Sequence, residues 1–207
     1  MKTSEEKKIR AIGVFCGSSA GGSAIYAEAA SALGRLLVKN EITMVYGGGN
    51  IGLMGVIADA MLAEGGNVIG VIPGHLLDKE LAHQGVSDMR VVEGMASRKN
   101  LIYELSDAFI AMPGGFGTMD EIFEMLTQFQ LGISDKPCGL LNTKGFFDLL
   151  VKQLDLFVTE RFLRQEHRDH LLISHDPEIL LAKMTEAARH GLNDQEWIEA
   201  LKINNKY

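Results

Sequence analysis

The stretch AFIAMPGGFGTMDE, residues 108–121, is the strongest indication of fold in this chain. Its first five residues are apolar and predict a buried strand, and the glycines after Pro113 predict a tight turn into a helix that continues to about Leu131. Glycines let the backbone approach a ligand closely, and the unpaired N–H groups at a helix start attract anions. This segment therefore predicts an anion site where a strand passes into a helix.

The same alternation of short apolar runs and helical segments recurs along the chain. Continuous apolar runs are expected for parallel strands that are covered on both faces. Strands are predicted at 9–16, 42–46, 67–72, 89–92, 108–112, 138–141 and 171–174. Helices are predicted at 23–39, 53–64, 96–105, 118–131, 146–157 and 177–189. The pattern predicts an α/β fold with a single doubly wound, mostly parallel Rossmann-like sheet and helices on both of its faces.

The length and composition fit one folded domain. Of the 207 residues 46% are hydrophobic and 23% are charged, so the chain can bury a substantial core. Since no linker, repeat or low-complexity tract divides it, we expect a single Rossmann-like nucleotide-binding domain over residues 1–207. Residues 1–8 are expected to form a flexible arm, and residues 190–207 a terminal helix and tail. The longest irregular connection is predicted at 73–87.

Charge and motif content argue against several kinds of partner. A formal net charge of −7 leaves no basic stripe for a nucleic acid, so no such partner is expected. Two isolated cysteines, the lack of a signal-peptide stretch and the lack of a long apolar run predict a cytoplasmic protein without a membrane partner. The histidines show no metal-ligand spacing, so no metal site is expected.

Three of the predicted strands end in glycine-rich turns, at 17–22, 47–52 and 114–117. Ligands of doubly wound sheets bind beyond the carboxyl ends of the strands, so the three turns should meet on one rim. The second turn fits GxGxxG, but it follows the second strand, and the next strand does not end in the acidic residue of a dinucleotide site. For this turn, packing and ligand binding are both open. A phosphate site is favoured at 114–118.

Two charged residues are expected beside this rim. Arg98 lies at the start of a predicted helix, and Glu121 lies one turn inside the helix that follows the third glycine turn. An arginine can orient a carboxylate or bind a phosphate through paired hydrogen bonds. However, Thr118 and Glu121 also fit a capping box, in which both side chains satisfy free N–H groups of the helix. Spacing alone favours capping over catalysis for Glu121.

The motif PGGxGTxxE at 113–121, with Arg98 and Lys99 upstream, resembles the Lonely Guy family. Its members are cytokinin riboside 5′-monophosphate phosphoribohydrolases, once labelled lysine decarboxylases, and the resemblance covers roughly residues 9–185. It implies hydrolysis of the N-glycosidic bond of an adenosine 5′-monophosphate, with or without an N6 substituent, to free base and ribose 5-phosphate. It also implies a homodimer that needs no cofactor, with Arg98 and Glu121 as the catalytic pair.

The resemblance also implies a set of substrate-binding positions, with the loop at 115–118 taking the 5′-phosphate. These positions are Ser19, Gly48, Glu80, Lys99, Gly114, Gly115, Gly117, Thr118 and Thr127. The connection at 73–88 follows the plant pattern less closely, which leaves the accepted base open.

Two other functions compete with hydrolysis. A pyridoxal-phosphate decarboxylase would need a lysine placed for a Schiff base, and Lys99 is a poor candidate. A non-catalytic carrier or sensor of a nucleotide or of the molybdenum cofactor would keep the glycine turns without needing Arg98 and Glu121. The presence of both residues favours the enzyme.

Overall fold

One sheet of seven parallel strands organises the computed structural model, which describes residues 8–77 and 82–190. Strands β1 to β7 are Ala11–Phe15, Thr43–Tyr46, Val68–Pro73, Asp88–Val92, Ala108–Ala111, Cys138–Leu141 and Leu171–Ser174. Their spatial order is β4-β3-β2-β1-β5-β6-β7, and every neighbouring pair is parallel. The predicted doubly wound α/β sheet is confirmed, and the observed strands match the predicted ones to within two residues at either end.

Helices connect consecutive strands. Helices α1 to α8 are Ala24–Lys39, Gly52–Ala63, Gly74–Leu77, Met95–Leu105, Phe116–Gln130, Asp148–Thr159, Gln165–Asp169 and Pro177–His190, and a 3₁₀ turn at Thr143–Gly145 precedes α6. The six long helices were all predicted. Helices α3 and α7 were not, because four and five residues are too few to show a helical period. Helix α3 begins the connection that was predicted to be irregular.

The two faces of the sheet carry separate hydrophobic cores. Ile12 and Val14 of β1 point into the core under α1, α2 and α8, whereas Phe15 points into the core under α4, α5 and α6. Side chains alternate across a strand, so a continuous apolar run supplies both cores at once. Strands β5 and β6 are buried at every position, as expected for central strands covered by helices on both sides.

Strand β1 lies at the point where the strand order reverses. Its residue Val14 is in register with Tyr46 of β2, and its residue Phe15 is in register with Ala111 of β5. The turns that follow β1, β2 and β5 therefore leave the sheet side by side, where ligands bind in doubly wound folds.

Two further findings concern membrane spans and the two ends of the chain. In the part of the chain that the structure describes, every helix is too short or too polar to cross a membrane. The arm predicted at 1–8 and the terminal segment predicted at 190–207 lie outside the described residues, apart from residues 8 and 190.

Candidate active site

The three glycine turns interlock through main-chain contacts. The N–H of Gly17 donates to the carbonyl of Pro113 at 3.0 Å, and the N–H of Leu53 donates to the carbonyl of Gly17 at 3.0 Å. Gly52 has a φ of 61°, and a Cβ there would collide with the main chain of Ser18. Only glycine allows so close an approach in this conformation. The predicted convergence of the three turns is confirmed.

A cavity of about 380 Å³ opens beyond these turns. Glycines of all three turns line it: Gly17, Gly47, Gly49, Gly115 and Gly117. Arg98, Thr118 and Glu121 line it as well, so one space joins glycine main chain, a helix start and two opposite charges. The volume falls in the range of small-molecule sites.

Arg98 and Glu121 form a buried ion pair in the wall of this cavity. The Nη2 of Arg98, in the first turn of α4, donates to Oε1 of Glu121, in the second turn of α5, at 2.7 Å. The two side chains are 13% and 7% exposed. Burial raises the pKa of Glu121 above its ordinary value, and the neighbouring guanidinium lowers it in part. Burying such a pair costs free energy, so the pair is more typical of a functional site than of a stabilising contact.

The capping box predicted for Thr118 and Glu121 is wrong. Helix α5 begins at Phe116, two residues earlier than predicted, with Gly115 at the N-cap and no side chain of the described residues capping it. Gly115, with φ −98° and ψ −149°, leads directly into the helix, which places Thr118 and Glu121 inside it. The Glu121 carboxylate is therefore free to bond to Arg98.

The start of α5 leaves space for an anion. Within the described structure, a Cβ built on Gly115 or on Gly117 has no atom within 4 Å. The fold itself therefore does not require glycine at either position. The first N–H groups of α5 face this region, and the positive end of the helix dipole favours a negative charge there. Thr118, 3% exposed, adds a hydroxyl beside them.

Three of the predicted substrate positions have structural contacts at the glycine turns. A Cβ on Gly114 would collide with Oγ1 of Thr118 and the N–H of Gly17, so this glycine lets α5 pack on the first turn. Gly48 has a φ of 73°, and a side chain there would meet Met89 and Ile72, so this glycine lets the turn pack on the sheet. The Oγ of Ser19 accepts a hydrogen bond from the N–H of Gly21 at 3.2 Å, within its own turn.

Three further positions lie away from the cavity or outside the described residues. The Nζ of Lys99 bonds to Oδ2 of Asp120 at 3.0 Å and to Oε2 of Glu124 at 2.5 Å, and these carboxylates, Glu124 foremost, raise its pKa. Thr127 donates to the Phe123 carbonyl at 2.7 Å and faces a second cavity. Glu80 lies in the segment 78–81, outside the described residues.

Sequence reasoning missed several cavity residues. Apolar side chains surround the mouth: Ile51, Met54, Leu76, Met95 and Phe116. Phe116 is 96% exposed although it is aromatic. Their positions directly after glycine turns or at helix starts are the signal that could have indicated them. Cys16 also lines the cavity, and burial, with a smaller effect of Glu121, raises the pKa of its thiol to about 12.

A family model described as "Possible lysine decarboxylase" matches residues 54–184. The cytokinin riboside 5′-monophosphate phosphoribohydrolase LOG1 of Arabidopsis thaliana is 47% identical over 169 residues, which are 82% of this chain and 79% of that protein. The chain belongs to the Lonely Guy family. A second Lonely Guy relative, the phosphoribohydrolase LOG3 of the same plant, is 44% identical over 89% of this chain and 86% of its own length.

Solved structures resemble this Lonely Guy chain as well. The molybdenum cofactor binding protein of Rippkaea orientalis has a TM-score of 0.64 and 26% identity, over 84% of this chain and 94% of that one. The molybdenum cofactor carrier protein of Chlamydomonas reinhardtii has the same TM-score at 21% identity, over 86% and 96% of the two chains. The second likeness concerns the fold alone.

Proposed function

We propose that this protein is a phosphoribohydrolase that cleaves the N-glycosidic bond of an adenosine 5′-monophosphate, with or without an N6 substituent, to the free base and ribose 5-phosphate. The observation that carries the proposal is the buried Arg98–Glu121 pair in one cavity with the open helix start at Gly115 and Gly117. The phosphoribohydrolases among the relatives, at 44–47% identity, support it.

Glu121 is the residue placed to promote bond cleavage. Breaking the N-glycosidic bond develops positive charge on the ribose ring, which a nearby carboxylate stabilises. Water then adds to the anomeric carbon and gives a proton to Glu121, the base leaves with the bonding electron pair, and the proton held by Glu121 passes to the base through solvent. The pKa of Glu121, raised by burial, makes it a better base than an exposed glutamate. Arg98 holds one carboxylate oxygen and so orients the other.

The start of α5 anchors the 5′-phosphate. The free N–H groups at this end, the open space at Gly115 and Gly117 and the hydroxyl of Thr118 fit a phosphate group. Binding energy from this remote group fixes the ribose against Glu121, so monophosphates should react better than nucleosides. The apolar side chains at the mouth, such as Met95 and Phe116, fit the base end of the substrate.

Lys99 argues against a decarboxylase that uses pyridoxal phosphate. A Schiff base forms from the neutral amine, whereas Asp120 and Glu124 raise the pKa of Lys99 and favour its charged form. Lys99 also lies outside the described residues that line the cavity. The molybdenum cofactor proteins share the fold, but at 21–26% identity they are much less similar to this chain than the phosphoribohydrolases are.

The test is to incubate the purified protein with isopentenyladenosine monophosphate and with AMP in parallel, and to measure free base and ribose 5-phosphate. We expect release from at least one monophosphate and little from the matching nucleosides. Faster release from the prenylated substrate would assign cytokinin activation, and faster release from AMP would assign nucleotide salvage. Binding without release would contradict the hydrolase and favour a carrier.

We further propose that the protein acts as a cytoplasmic homodimer. Thr127, a substrate contact by family resemblance, lies outside the cavity of its own chain, so a second copy would be needed to bring it to a substrate. The exposed apolar side chains Leu131, Ile133 and Phe162 fit such an interface. Sedimentation should give twice the chain mass. Because each copy would complete the other's site, a mixture of Glu121→Gln and Thr127→Ala proteins should be more active than either.

A further inference from the structure

The second glycine turn, 47–52, carries the guanidinium of Arg98. A Cβ on Gly47 would lie 2.6 Å from Nη2 and 3.0 Å from Cζ of Arg98, so the arginine rests directly on the main chain of this turn. Any shift of Gly47 therefore moves the group that orients Glu121.

A short segment at 82–86 holds the second glycine turn in place. The N–H of His83 donates to the carbonyl of Gly48 at 2.9 Å, and Ala82 forms an antiparallel bridge with Gly49. Gly49 lines the cavity. At its other end, the second glycine turn is followed by Leu53, whose N–H donates to the carbonyl of Gly17 in the first glycine turn. The 82–86 segment thus supplies the contacts at the end nearer Arg98.

The imidazole of His83 forms a hydrogen bond within the 82–86 segment. His83 is 7% exposed, and its Nδ1 accepts the N–H of Gly85 at 3.1 Å. Since Nδ1 accepts, the ring proton lies on Nε2, which donates to Oδ1 of Asp59 in α2 at 3.1 Å. The Asp59 side chain is 73% exposed, so this second contact is the weaker one. The bond to Gly85 is the side-chain contact by which His83 helps to shape the segment.

We infer that His83 is a positioning residue for the hydrolysis, an inference that rests on the proposed function. Its Nδ1 fixes the 82–86 segment, the segment fixes Gly48 and Gly49, and the turn supports Arg98 against Glu121. His83 itself is not among the described residues that line the cavity. Its loss should disturb the chemical step more than substrate binding, because Arg98 orients the catalytic carboxylate.

The experiment compares kcat and KM for the wild type, His83→Ala, His83→Asn and His83→Gln. Asparagine places an acceptor near the position of Nδ1, whereas glutamine places a donor near that of Nε2. We expect His83→Ala to lower kcat about tenfold, as for loss of one buried hydrogen bond, with KM changed less than about threefold. Asparagine should restore most of kcat and glutamine should not. The exposed His75→Ala, which removes an imidazole outside the 82–86 segment and outside the cavity lining, is the matched control, with wild-type rates expected.

A double variant tests the route through Arg98. In an Arg98→Ala background, His83→Ala should change kcat by less than about twofold, because coupled residues are not additive. Wild-type kcat in His83→Ala, rescue by glutamine instead of asparagine, or full additivity with Arg98→Ala would each overturn the inference. If His83→Ala does not fold, the asparagine and glutamine variants still decide it. A wild type that releases no base would overturn the proposed function, and this inference with it.

Discussion

Two of the cavities along helix α5 differ in their contents. The first, at its first two turns, has a volume of about 380 Å³ and contains the Arg98–Glu121 pair. The second, along its middle and between α6 and α7, has a volume of about 290 Å³ and is lined mainly by side chains such as Leu126, Leu154 and Phe157. His167 lines this second cavity, and its two ring nitrogens have no hydrogen-bond partner among the described residues.

Burial penalises charge at both places, but among these described groups only Glu121 is hydrogen-bonded to an opposite charge, that of Arg98. Burial raises the pKa of Glu121 and lowers that of His167. It also lowers the pKa of His170, stacked on Phe129 behind the second cavity, to about 4. Because Arg98 partly offsets the effect of burial, Glu121 can still carry its negative charge. Burial favours the neutral form of the two histidines. The first cavity therefore holds a buried charge with a bonded partner, whereas the second is a packed and mainly apolar region.

The largest expected effect is on the charge of the first cavity. Glu121→Gln keeps the shape and removes the carboxylate, so kcat should fall by about two to three orders of magnitude, as for other electrostatic stabilisers. Steady-state release of base measures the loss. Because the change leaves the buried guanidinium of Arg98 without its counter-charge, the melting temperature is measured beside the rate to separate loss of stability from loss of chemistry. Near-full turnover in a folded variant would contradict the mechanism.

The second prediction concerns the buried histidine next to the second cavity. Since the pKa of folded His170 is about 4 and the ordinary value is 6.5, the unfolded chain binds more protons between these pH values. Stability should therefore be complete above pH 6.5 and fall by roughly 3 kcal/mol on acidification to pH 4.

Urea unfolding at several pH values measures the slope of the unfolding free energy against pH. His170→Gln should remove most of it, with a smaller part left from His167, and the exposed His75→Gln should keep it. An unchanged slope in His170→Gln would show that other groups cause the acid sensitivity.

The third prediction tests the anion site at the start of α5. Gly115→Ala and Gly117→Ala place a methyl group in open space, so neither should destabilise the fold. If a phosphate occupies that space, KM should rise by about tenfold or more, since loss of charged hydrogen bonds costs about 1.5–3 kcal/mol. Gly22→Ala, whose Cβ also meets no described atom within 4 Å, is the matched control. An unchanged KM in both variants would show that the phosphate binds elsewhere.

The smallest expected effect comes from displacing Arg98 without removing it. In Gly47→Ala the new methyl group pushes the guanidinium away from Glu121. Because Arg98 lowers the pKa of Glu121, its displacement should raise that pKa. The acid limb of kcat/KM should then move to higher pH, with a loss of up to about tenfold at its maximum, the size expected for His83→Ala. A limb that stays in place would mean that another group sets it.

Several features of the site were predicted because they depend on local sequence. The strand before Pro113 and the glycine turn after it are adjacent in the chain, and Arg98 begins a helix on the same rim. The approach of Arg98 to Glu121 follows from the doubly wound order and is confirmed at 2.7 Å. The capping box failed because the helix start depends on the conformation of Gly115, which no spacing rule specifies.

The sequence by itself determined the α/β alternation, the strand positions and the family, because continuous apolar runs and a glycine motif are local signals. The tertiary structure decided which glycines shape the turns, such as Gly48 and Gly114, and which leave space for a ligand, such as Gly115 and Gly117. It also decided that Lys99 pairs with carboxylates of α5. These properties depend on atoms from distant segments, and only the folded chain brings those atoms together.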